Sequence, residues 1–433
     1  MVSNSHVQYE HIVISGLPEE RGRQYGRKAK DKIRKNIAHY LQPGQLPPWD
    51  DVLRYIHGVY IPGLNHHFPS ALEEMKGIAA GAGVTLEEIV MVNARYDLAR
   101  VPGGSRYRPR PSTKAATPTA IPLRPSVRYR RSSHGSSVIH VYGHEEEDDD
   151  DANECTSAAF LPPTTSDGNV FCAQNWDISS YLVTDDLALL LEIRPDPSEG
   201  IPNMFVITEA GQMGRSGFNS AGLGLCANAL NSSIDYAPSL EEGKPTPCLP
   251  IALLRRLYLQ SKSFPQAMQA VCNAPRHVSG NLTLATAEGF ALCLELTPVE
   301  VFVLTPQNDE HFIIHSNHYL HPALKARSRS DIYDTYPGGS SWYRHLRLRE
   351  GVKPYLDGKV SVDTLRRAFS DHLGAPQALC QHVDKSGGTG LPGYPFKGSM
   401  TVACVIYDLT RRTVTTCKGT PCTGVFETYR LHE

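Results

Sequence analysis

The sequence of 433 residues lacks a long apolar run, a strong net charge and a recognisable targeting signal. No stretch approaches the roughly 18 apolar residues of a transmembrane helix, so no membrane partner is predicted. The formal net charge of -2 gives no electrostatic reason to expect nucleic acid as a partner. Met1 to His6 lack the basic and apolar regions of a secretory signal, and the C-terminal residues are not a peroxisomal address. A cytoplasmic globular protein is therefore predicted.

The sequence also lacks the common zinc signatures. Its ten cysteines are dispersed through apolar surroundings, none forms a C-x-x-C pair, and H-E-x-x-H is absent. In a large chain without a secretory signal, reduced thiols are more common than a disulfide framework. We therefore expect no metal site and no disulfide framework.

The composition divides the chain into three parts. Residues 1–100 are predicted to be mainly helical, with a helical segment from Pro18 to Leu41 whose Gly22 and Gly26 share a face that permits close packing. Residues 101–154 are rich in proline, serine and arginine and end in an acidic run, which is typical of a solvated linker. An RNA-binding arm is the alternative, but the adjacent acidic block opposes it. Residues 155–433 are rich in predicted strands.

A β-hairpin is predicted at the start of the third part. One apolar run begins at Cys155, a turn follows at Asp167-Gly168, and a second run returns to Asp177. The hairpin would bring Asp177 back near Cys155. If the chain were cut before Cys155, the new α-amine could activate the thiol as a base. The plainer alternative is that Cys155 is a small buried hydrophobic residue.

Several motifs in this region carry a family resemblance. Cys155-Thr156-Ser157, followed by Gln174-Asn175-Trp176-Asp177, resembles the nucleophile hairpin of the acyl-coenzyme A:isopenicillin N acyltransferase family (peptidase C45-like). Members of this family are N-terminal-nucleophile hydrolases that cut themselves before the cysteine. The resemblance extends in order over most of the chain, through Phe218 to Ala229, but the segment from about Val101 to Asn153 has no counterpart.

The resemblance implies an α+β fold, the αββα four-layer sandwich of N-terminal-nucleophile hydrolases. It also implies autocleavage between Glu154 and Cys155, which would leave a heterodimer of the two fragments. Glu154 departs from the glycine that precedes the nucleophile in the penicillin-forming relatives.

The resemblance assigns three catalytic residues. Cys155 matches the nucleophile, Asp177 matches the acidic residue that holds the freed amine, and Asn317 matches the donor to the oxyanion. The alternatives are that Asp177 is a residue at the end of a hairpin and that Asn317 is a capping or turn residue. His318 is predicted to be a structural neighbour, because the α-amine already provides the base.

Three residues are predicted to bind substrate. Lys397 and Ser399 fall where the penicillin-forming relatives have a Ser-Arg pair, although no arginine is present here. This departure argues against recognition of the penicillin nucleus, and Lys397 is predicted to meet a carboxylate or phosphate instead. Arg95, with Asp97, is predicted either to line the edge of the pocket or to be part of ordinary helix packing.

The resemblance implies an N-acyltransferase that moves an acyl group, with acyl-coenzyme A as a candidate donor. The acceptor would be an amine of an amino acid, a peptide or a β-lactam-like molecule. A hydrolase of N-acyl amides with the same cysteine is the first alternative, and a non-catalytic binding module is the second. Both expected partners are small molecules, and no cofactor is predicted.

Overall fold

The structure is a computed structural model that describes residues 7–107, 154–241, 246–307, 309–325, 340–383 and 398–432. Most of the predicted linker, and Lys397, lie outside the described residues. Within them, no single helix is long and apolar enough to cross a membrane. Two helices, Pro69–Ala82 and Leu86–Leu98, meet that test only as a pair, and the pair bends by 119°.

Helices occupy most of the N-terminal part and three later segments. The first group is α1 (Pro18–Lys28), α2 (Lys30–Tyr40), α3 (Trp49–Tyr55), α4 (Ile61–His67), α5 (Pro69–Ala82) and α6 (Leu86–Leu98). The later helices are α7 (Tyr181–Thr184), α8 (Ile251–Leu259), α9 (Phe264–Asn273), α10 (Pro322–Lys325), α11 (Ser340–Val352) and α12 (Val362–Phe369). A π-helical turn at Ile56–Tyr60 joins α3 to α4.

The strands begin with a single N-terminal strand and then dominate the chain after residue 153. In order they are β1 (Glu10–Gly16), β2 (Glu154–Phe160), β3 (Phe171–Ser179), β4 (Ala188–Pro195), β5 (Met204–Glu209), β6 (Ser216–Asn219) and β7 (Leu223–Ala229). They continue with β8 (Gly280–Thr286), β9 (Phe290–Leu296), β10 (Val301–Leu304), β11 (Phe312–His315), β12 (Ser399–Asp408), β13 (Thr413–Lys418) and β14 (Phe426–Arg430).

Two sheets form the centre of the molecule. The eight-stranded sheet has the order β1-β4-β5-β6-β7-β8-β9-β10, and the six-stranded sheet has the order β11-β2-β3-β12-β13-β14. Strands β2 and β3 of the smaller sheet contact β7 and β8 of the larger one. Helices α1 and α8 pack on the larger sheet, and α11 and α12 pack on the smaller one. The layer order is therefore helix, sheet, sheet, helix, and the predicted αββα fold is confirmed.

Alternation along β2 assigns its side chains to two different cores. Ala158 and Phe160 belong to the core between the smaller sheet and helices α11 and α12. Cys155 and Ala159 belong to the large core that includes the facing sheet. Because successive side chains of a strand point to opposite faces, the thiol of Cys155 lies between the two sheets.

The helical segment predicted from Pro18 to Leu41 is present, but it consists of two helices, α1 and α2. Ala29 has φ -103° and ψ 18°, which is not helical, and it separates α1 from α2. The predicted close packing of α1 is confirmed. A Cβ atom added at Gly22 would lie 2.1 Å from the carbonyl oxygen of Glu74, and one at Gly26 would lie 2.2 Å from that of Ile78. Only glycine permits this approach of α1 to α5.

Candidate active site

The hairpin of β2 and β3 sets the geometry around Cys155. The two strands are antiparallel, Glu154 pairs with Asp177, and Cys155 pairs with Trp176. Gly168 has φ +69°, a left-handed conformation that glycine adopts without strain, in the turn predicted at Asp167-Gly168. The predicted hairpin and the return of Asp177 to Cys155 are therefore confirmed.

Three buried side chains contact Cys155. Arg215 donates from Nη2 to the thiol sulfur at 2.8 Å. Asn317 accepts from the backbone nitrogen of Cys155 through Oδ1 at 2.8 Å. Arg344 donates from Nη1 to the Cys155 carbonyl oxygen at 2.7 Å. The sulfur, the nitrogen and the carbonyl of this residue are each held by a different part of the chain.

Burial and charge act on the thiol in opposite directions. Burial raises the pKa of Cys155 above its ordinary value because the thiolate loses its hydration. The cation of Arg215 lowers this pKa, and the carboxylate of Asp177 raises it. Arg215 is therefore the main group that favours the thiolate.

Arg215 is itself fixed by two neighbours. Its Nη1 donates to Oε1 of Gln174 at 3.2 Å, and its guanidinium carbon lies 4.4 Å from the ring centroid of Trp176. Gln174 also accepts from the hydroxyl of Ser216 at 2.6 Å. Two residues of the Gln-Asn-Trp-Asp motif thus hold the cation that contacts the thiol.

The carboxylate of Asp177 is buried and held from the neighbouring strand. Its Oδ1 accepts from the hydroxyl of Thr401 at 2.5 Å. That hydroxyl in turn accepts from the backbone nitrogen of Gln381 at 2.9 Å. Asp177 is therefore the end of a hydrogen-bonded chain that begins in the segment before β12.

The orientation of the Asn317 amide is set by two donors. Its Oδ1 accepts both from Cys155 N and from Nη2 of Arg344, the latter at 2.8 Å. A guanidinium can only donate, so the oxygen and not the nitrogen of the amide must face it. The amide nitrogen donates to Ala229 O at 3.0 Å. In the uncut chain Asn317 thus contacts the nitrogen of the predicted scissile bond.

His318 has a structural environment. Its Nδ1 lies 2.6 Å from the hydroxyl of Ser341, which also accepts from the backbone nitrogen of Asn317 at 2.7 Å. These contacts fix the turn after β11 that carries Asn317.

The residues predicted to bind substrate have different environments. Ser399 is buried at the start of β12 and donates to Gln381 at 3.3 Å. Arg95 forms an ion pair with the buried Glu209 and lies 5.3 Å from the ring centroid of Tyr40. Asp97 is fully buried and accepts from the backbone nitrogen of Ile251, at the start of α8. Asp97 is therefore part of the helix packing, which is the second of the two predicted alternatives.

Arg95 lines a cleft rich in arginine. The other polar groups in its wall include Tyr40, Tyr96, Arg100 and Arg106, and these residues with Arg95 define what we call the arginine cleft. Burial is the largest single effect on the pKa of Arg95 and lowers it, but the combined attraction of Glu209, Tyr40 and Tyr181 outweighs burial and raises this pKa well above its ordinary value.

Arg255 on α8 interacts electrostatically with Cys155 and with Arg95 of the arginine cleft. Burial lowers its pKa to about 9; the nearby cation of Arg215 and, more weakly, that of Arg95 act in the same direction, whereas Cys155 opposes them. Among the described residues, Arg255 forms no ion pair. It remains a cation at neutral pH, and an anionic ligand would stabilise it.

Arg215, Arg344 and Thr401 were not predicted from the sequence. Each is distant in the chain from Cys155 or Asp177, by 60 residues for Arg215 and by 189 for Arg344. Of the residues around Arg215, only Gln174 could have been found from the sequence, because it lies within the recognised Gln-Asn-Trp-Asp motif. Arginines scattered over a chain carry no pattern that assigns them to a site.

Known proteins resemble this chain. The sequence model of the acyl-coenzyme A:6-aminopenicillanic acid acyl-transferase family matches residues 164–422, more than half of the chain. The 40 kDa form of the acyl-coenzyme A:6-aminopenicillanic-acid-acyltransferase of Emericella nidulans is 24% identical over 417 residues, which cover 95% of this chain and 93% of that protein.

Two solved structures are also similar. A variant of the conjugated bile acid hydrolase of Clostridium perfringens has a TM-score of 0.39 and 11% identity, covering 64% of this chain and 97% of that one. The Caenorhabditis elegans ortholog of N-acylethanolamine-hydrolyzing acid amidase has a TM-score of 0.37 and 10% identity, covering 59% of this chain and 93% of that one.

Proposed function

The chain belongs to the acyl-coenzyme A:6-aminopenicillanic acid acyl-transferase family, and from this premise we propose that it is a self-processing acyltransferase with Cys155 as its nucleophile. Membership confirms the family resemblance and the prediction of an enzyme that carries out acyl transfer or amide hydrolysis. The observation that supports Cys155 as the nucleophile is the convergence of Arg215, Asn317 and Arg344 on this one buried cysteine. A structural cysteine needs none of these contacts.

The first reaction is cleavage of the chain itself. The Cys155 sulfur attacks the carbonyl carbon of Glu154, the bond from that carbon to Cys155 N breaks, and the nitrogen takes up a proton. The product is a thioester between Glu154 and the sulfur. Water then attacks the thioester, which releases the carboxylate of Glu154 and the free thiol. Arg215 supports the first step because it favours the thiolate.

The fragments 1–154 and 155–433 have the contacts to stay together as a heterodimer. From the N-terminal fragment, β1 pairs in parallel with β4 along seven residues of the large sheet. Glu74 on α5 accepts from the buried guanidinium of Arg256 on α8 at 3.0 Å. Arg95 pairs with Glu209 across the same boundary. Breaking buried ion pairs of this kind is costly, about 3–5 kcal/mol each.

After cleavage the α-amine of Cys155 becomes the base for its own thiol. Asn317 Oδ1 already accepts from this nitrogen, and Asp177 lies opposite the adjoining residue in the register of the hairpin. We propose that both groups orient the amine. The thiolate then attacks the acyl carbonyl of the donor, and the side-chain amide of Asn317 is the candidate donor to the oxyanion.

The charge of the site favours anionic substrates. Arg255 has no carboxylate partner among the described residues and lies in the field of both the thiol and the arginine cleft. The name of the Emericella nidulans relative describes transfer from acyl-coenzyme A to 6-aminopenicillanic acid, and both are anionic at neutral pH. We propose an acyl-coenzyme A donor and a carboxylate-bearing amine acceptor for this chain. Ser399 and Lys397 remain predicted substrate contacts.

The experiment begins with the mass of the purified protein. Wild type should give two fragments that begin at residues 1 and 155, whereas Cys155→Ala should remain one full-length chain. Cys155→Ser is expected to cleave slowly, because a hydroxyl is the poorer nucleophile. Cys172→Ala is the matched control, since Cys172 is a buried cysteine on the adjoining strand. A full-length active wild type would contradict the proposed cleavage.

The second measurement separates transfer from hydrolysis. Incubation of the cleaved enzyme with acyl-coenzyme A alone should add one acyl group to the fragment that begins at Cys155. Addition of carboxylate-bearing amines should then give N-acyl products in proportion to acceptor concentration. Release of free acid at a rate that acceptors do not change would indicate a hydrolase instead. Acylation at another cysteine would contradict the assignment of Cys155.

A further inference from the structure

Two histidines and two cysteines converge at a second place, on the smaller sheet. His372, Cys380 and His382 lie in the segment between α12 and β12, and Cys422 lies in the turn between β13 and β14. We call these four residues the Cys2His2 cluster. One ligand atom from each residue lies within 4.8 Å of the corresponding atoms of the other three.

Three of the six distances within the cluster lie close to the edges of a zinc tetrahedron. Zn–N bonds of 2.0–2.1 Å and Zn–S bonds of 2.3 Å imply about 3.3 Å between two nitrogens and about 3.6 Å between nitrogen and sulfur. The Nε2 atoms of His372 and His382 are 3.1 Å apart. His382 Nε2 lies 3.6 Å from the sulfur of Cys380 and 3.4 Å from that of Cys422.

Hydrogen bonds alone do not account for this convergence. A ring nitrogen of a neutral imidazole is either one donor or one acceptor, so it can satisfy only one strong partner. Yet His382 Nε2 faces three potential ligand atoms at once. A cation at the centre would bind all four atoms through their lone pairs.

We propose that His372, Cys380, His382 and Cys422 bind one Zn²⁺ ion. Two thiolates and two neutral imidazoles balance the charge of the ion, and sulfur with imidazole nitrogen in tetrahedral geometry selects zinc among the common divalent metals. All four positions are filled by protein, which leaves no place for substrate or water. The site is therefore structural and does not depend on the proposed acyl transfer.

The zinc ion would join two segments that are distant in the chain. It would tie the turn after β13 to residues 372–382, and this second segment reaches the candidate active site. Gln381, between two of the ligands, donates from its backbone nitrogen to Thr401, and Thr401 donates to Asp177. The segment also accepts from the side chain of Asn175 through Leu379 O at 2.9 Å.

No sequence motif predicts this zinc site. The ligands have no C-x-x-C spacing, and 39 residues separate His382 from Cys422. Only the pairing of β12 with β13 brings the last ligand to the other three. The proposal therefore revises the expectation that the chain has no metal site.

The test is the zinc content of the purified full chain, measured by inductively coupled plasma mass spectrometry after dialysis against metal-free buffer. We expect about one zinc per chain in wild type. His372→Ala and Cys422→Ser remove exposed ligands, so the variants should fold and lose most of the zinc. Co²⁺ added to the chelator-treated protein should give the visible absorption of tetrahedral cobalt and a thiolate-to-cobalt charge-transfer band.

Two variants outside the cluster serve as controls. Cys272→Ser and His66→Ala change a partly exposed cysteine and an exposed histidine, and both should keep the zinc.

Removal of zinc should lower the melting temperature of wild type but not that of Cys422→Ser, because a metal that binds only the folded state stabilises it. Any of three results would overturn the proposal. The wild type binds neither added Zn²⁺ nor Co²⁺, the zinc content is unchanged in His372→Ala and Cys422→Ser, or Cys380 and Cys422 form a disulfide in reducing buffer.

Discussion

The Nη2 atom of Arg215 lies 2.8 Å from the sulfur of Cys155 and donates to it. This contact opposes the effect of burial, which otherwise raises the pKa of the thiol. Gln174 and Trp176 hold the guanidinium in place. The thiol therefore has a fixed cation beside it, and the activation that we propose for Cys155 does not depend on an α-amine alone.

We predict that Arg215→Gln slows the reactions of Cys155. Loss of the cation raises the pKa of the thiol, so the thiolate fraction at neutral pH falls. A hydrogen bond to a charged group contributes about 1.5–3 kcal/mol, which corresponds to roughly a ten- to hundredfold loss. Release of coenzyme A from an acyl donor, followed against pH, should show the acidic limb shifted to higher pH.

The control for this variant is Arg276→Gln. Arg276 is also buried, but it donates to the backbone carbonyls of Thr297 and Ala274. Its loss should lower stability without moving the pH profile. An unchanged profile in Arg215→Gln would show that Arg215 does not activate the thiol.

We predict that Thr401→Val impairs cleavage while the fold is retained. Valine has the shape of threonine, but it cannot donate to Asp177 or accept from Gln381 N. A carboxylate that loses its hydrogen bond has more conformational freedom, so the cleavage rate should fall about tenfold or more. Denaturing electrophoresis over time after expression measures the uncut fraction.

Thr416→Val provides the comparison. Thr416 is a buried threonine on the neighbouring strand β13, and its hydroxyl donates to Cys404 O at 2.9 Å. This variant should cleave at the wild-type rate. Asp177→Asn should reproduce the defect of Thr401→Val, and full cleavage in a folded Asp177→Asn variant would assign Asp177 to the hairpin alone.

The hairpin and the glycine-rich helix could be predicted because local sequence patterns specify them. Alternating apolar runs around Asp167-Gly168 fix the return of Asp177, and the spacing of Gly22 and Gly26 places both on one face of α1. The break between α1 and α2 at Ala29 could not be predicted from the sequence. The residues around it have good helix propensity, and tertiary packing, in which α1 contacts α5 and β1 while α2 contacts α5 and α6, overrides it.

The cations around the thiol could not be predicted from the sequence for a different reason. Arg344 meets Cys155 only because α11 packs on β2, and Arg215 meets it only because the two sheets face each other. Neither contact can be predicted from the local sequence. Family resemblance supplied Cys155, Asp177 and Asn317, whereas the structure supplied the residues that hold them.

We predict that Arg255→Gln raises KM for an anionic acyl donor more than it lowers kcat. The side chain lies in the field of the thiol and of Arg95 and has no acidic partner among the described residues. Loss of its charge removes attraction for the donor but leaves the Cys155 contacts intact. Steady-state kinetics with acyl-coenzyme A and with an uncharged acyl thioester should show a KM difference only for the first. Equal effects on both donors would remove Arg255 from substrate binding.

We predict that Gly26→Ala strongly destabilises the protein. The new Cβ would lie 2.2 Å from Ile78 O and 2.7 Å from Ala82 N, and both are backbone atoms of α5 that cannot rotate away. Overpacking of this kind costs about 1–3 kcal/mol or more. Gly351→Ala is the control, because a Cβ there makes ordinary contacts of 3.5 Å with Ala368. Thermal unfolding should separate the two variants, and equal melting temperatures would contradict the close approach of α1 to α5.

We predict that Asp97 makes the stability of the protein depend on pH. Burial raises the pKa of Asp97 to about 7, although hydrogen bonds from the backbone of Ile251 oppose this. A folded-state pKa above the unfolded value means that folding favours the protonated acid. The stabilisation is therefore complete below about pH 4 and is lost as pH rises towards 7. His277, whose ring lies 3.7 Å from this carboxyl, has its pKa lowered by burial to about 4, so it is neutral over most of this range.

Asp97→Asn removes the titration but keeps the shape and an oxygen that can accept from Ile251 N. Between pH 5 and pH 8, the wild type should lose a few kcal/mol of unfolding free energy relative to this variant. Denaturant unfolding at a series of pH values measures the difference. Asp51→Asn is the control, because Asp51 is a partly exposed acid of α3 whose ion pair with Arg54 is on the surface. A constant difference between wild type and Asp97→Asn across this range would show that Asp97 is ionised at all of these pH values in the folded protein.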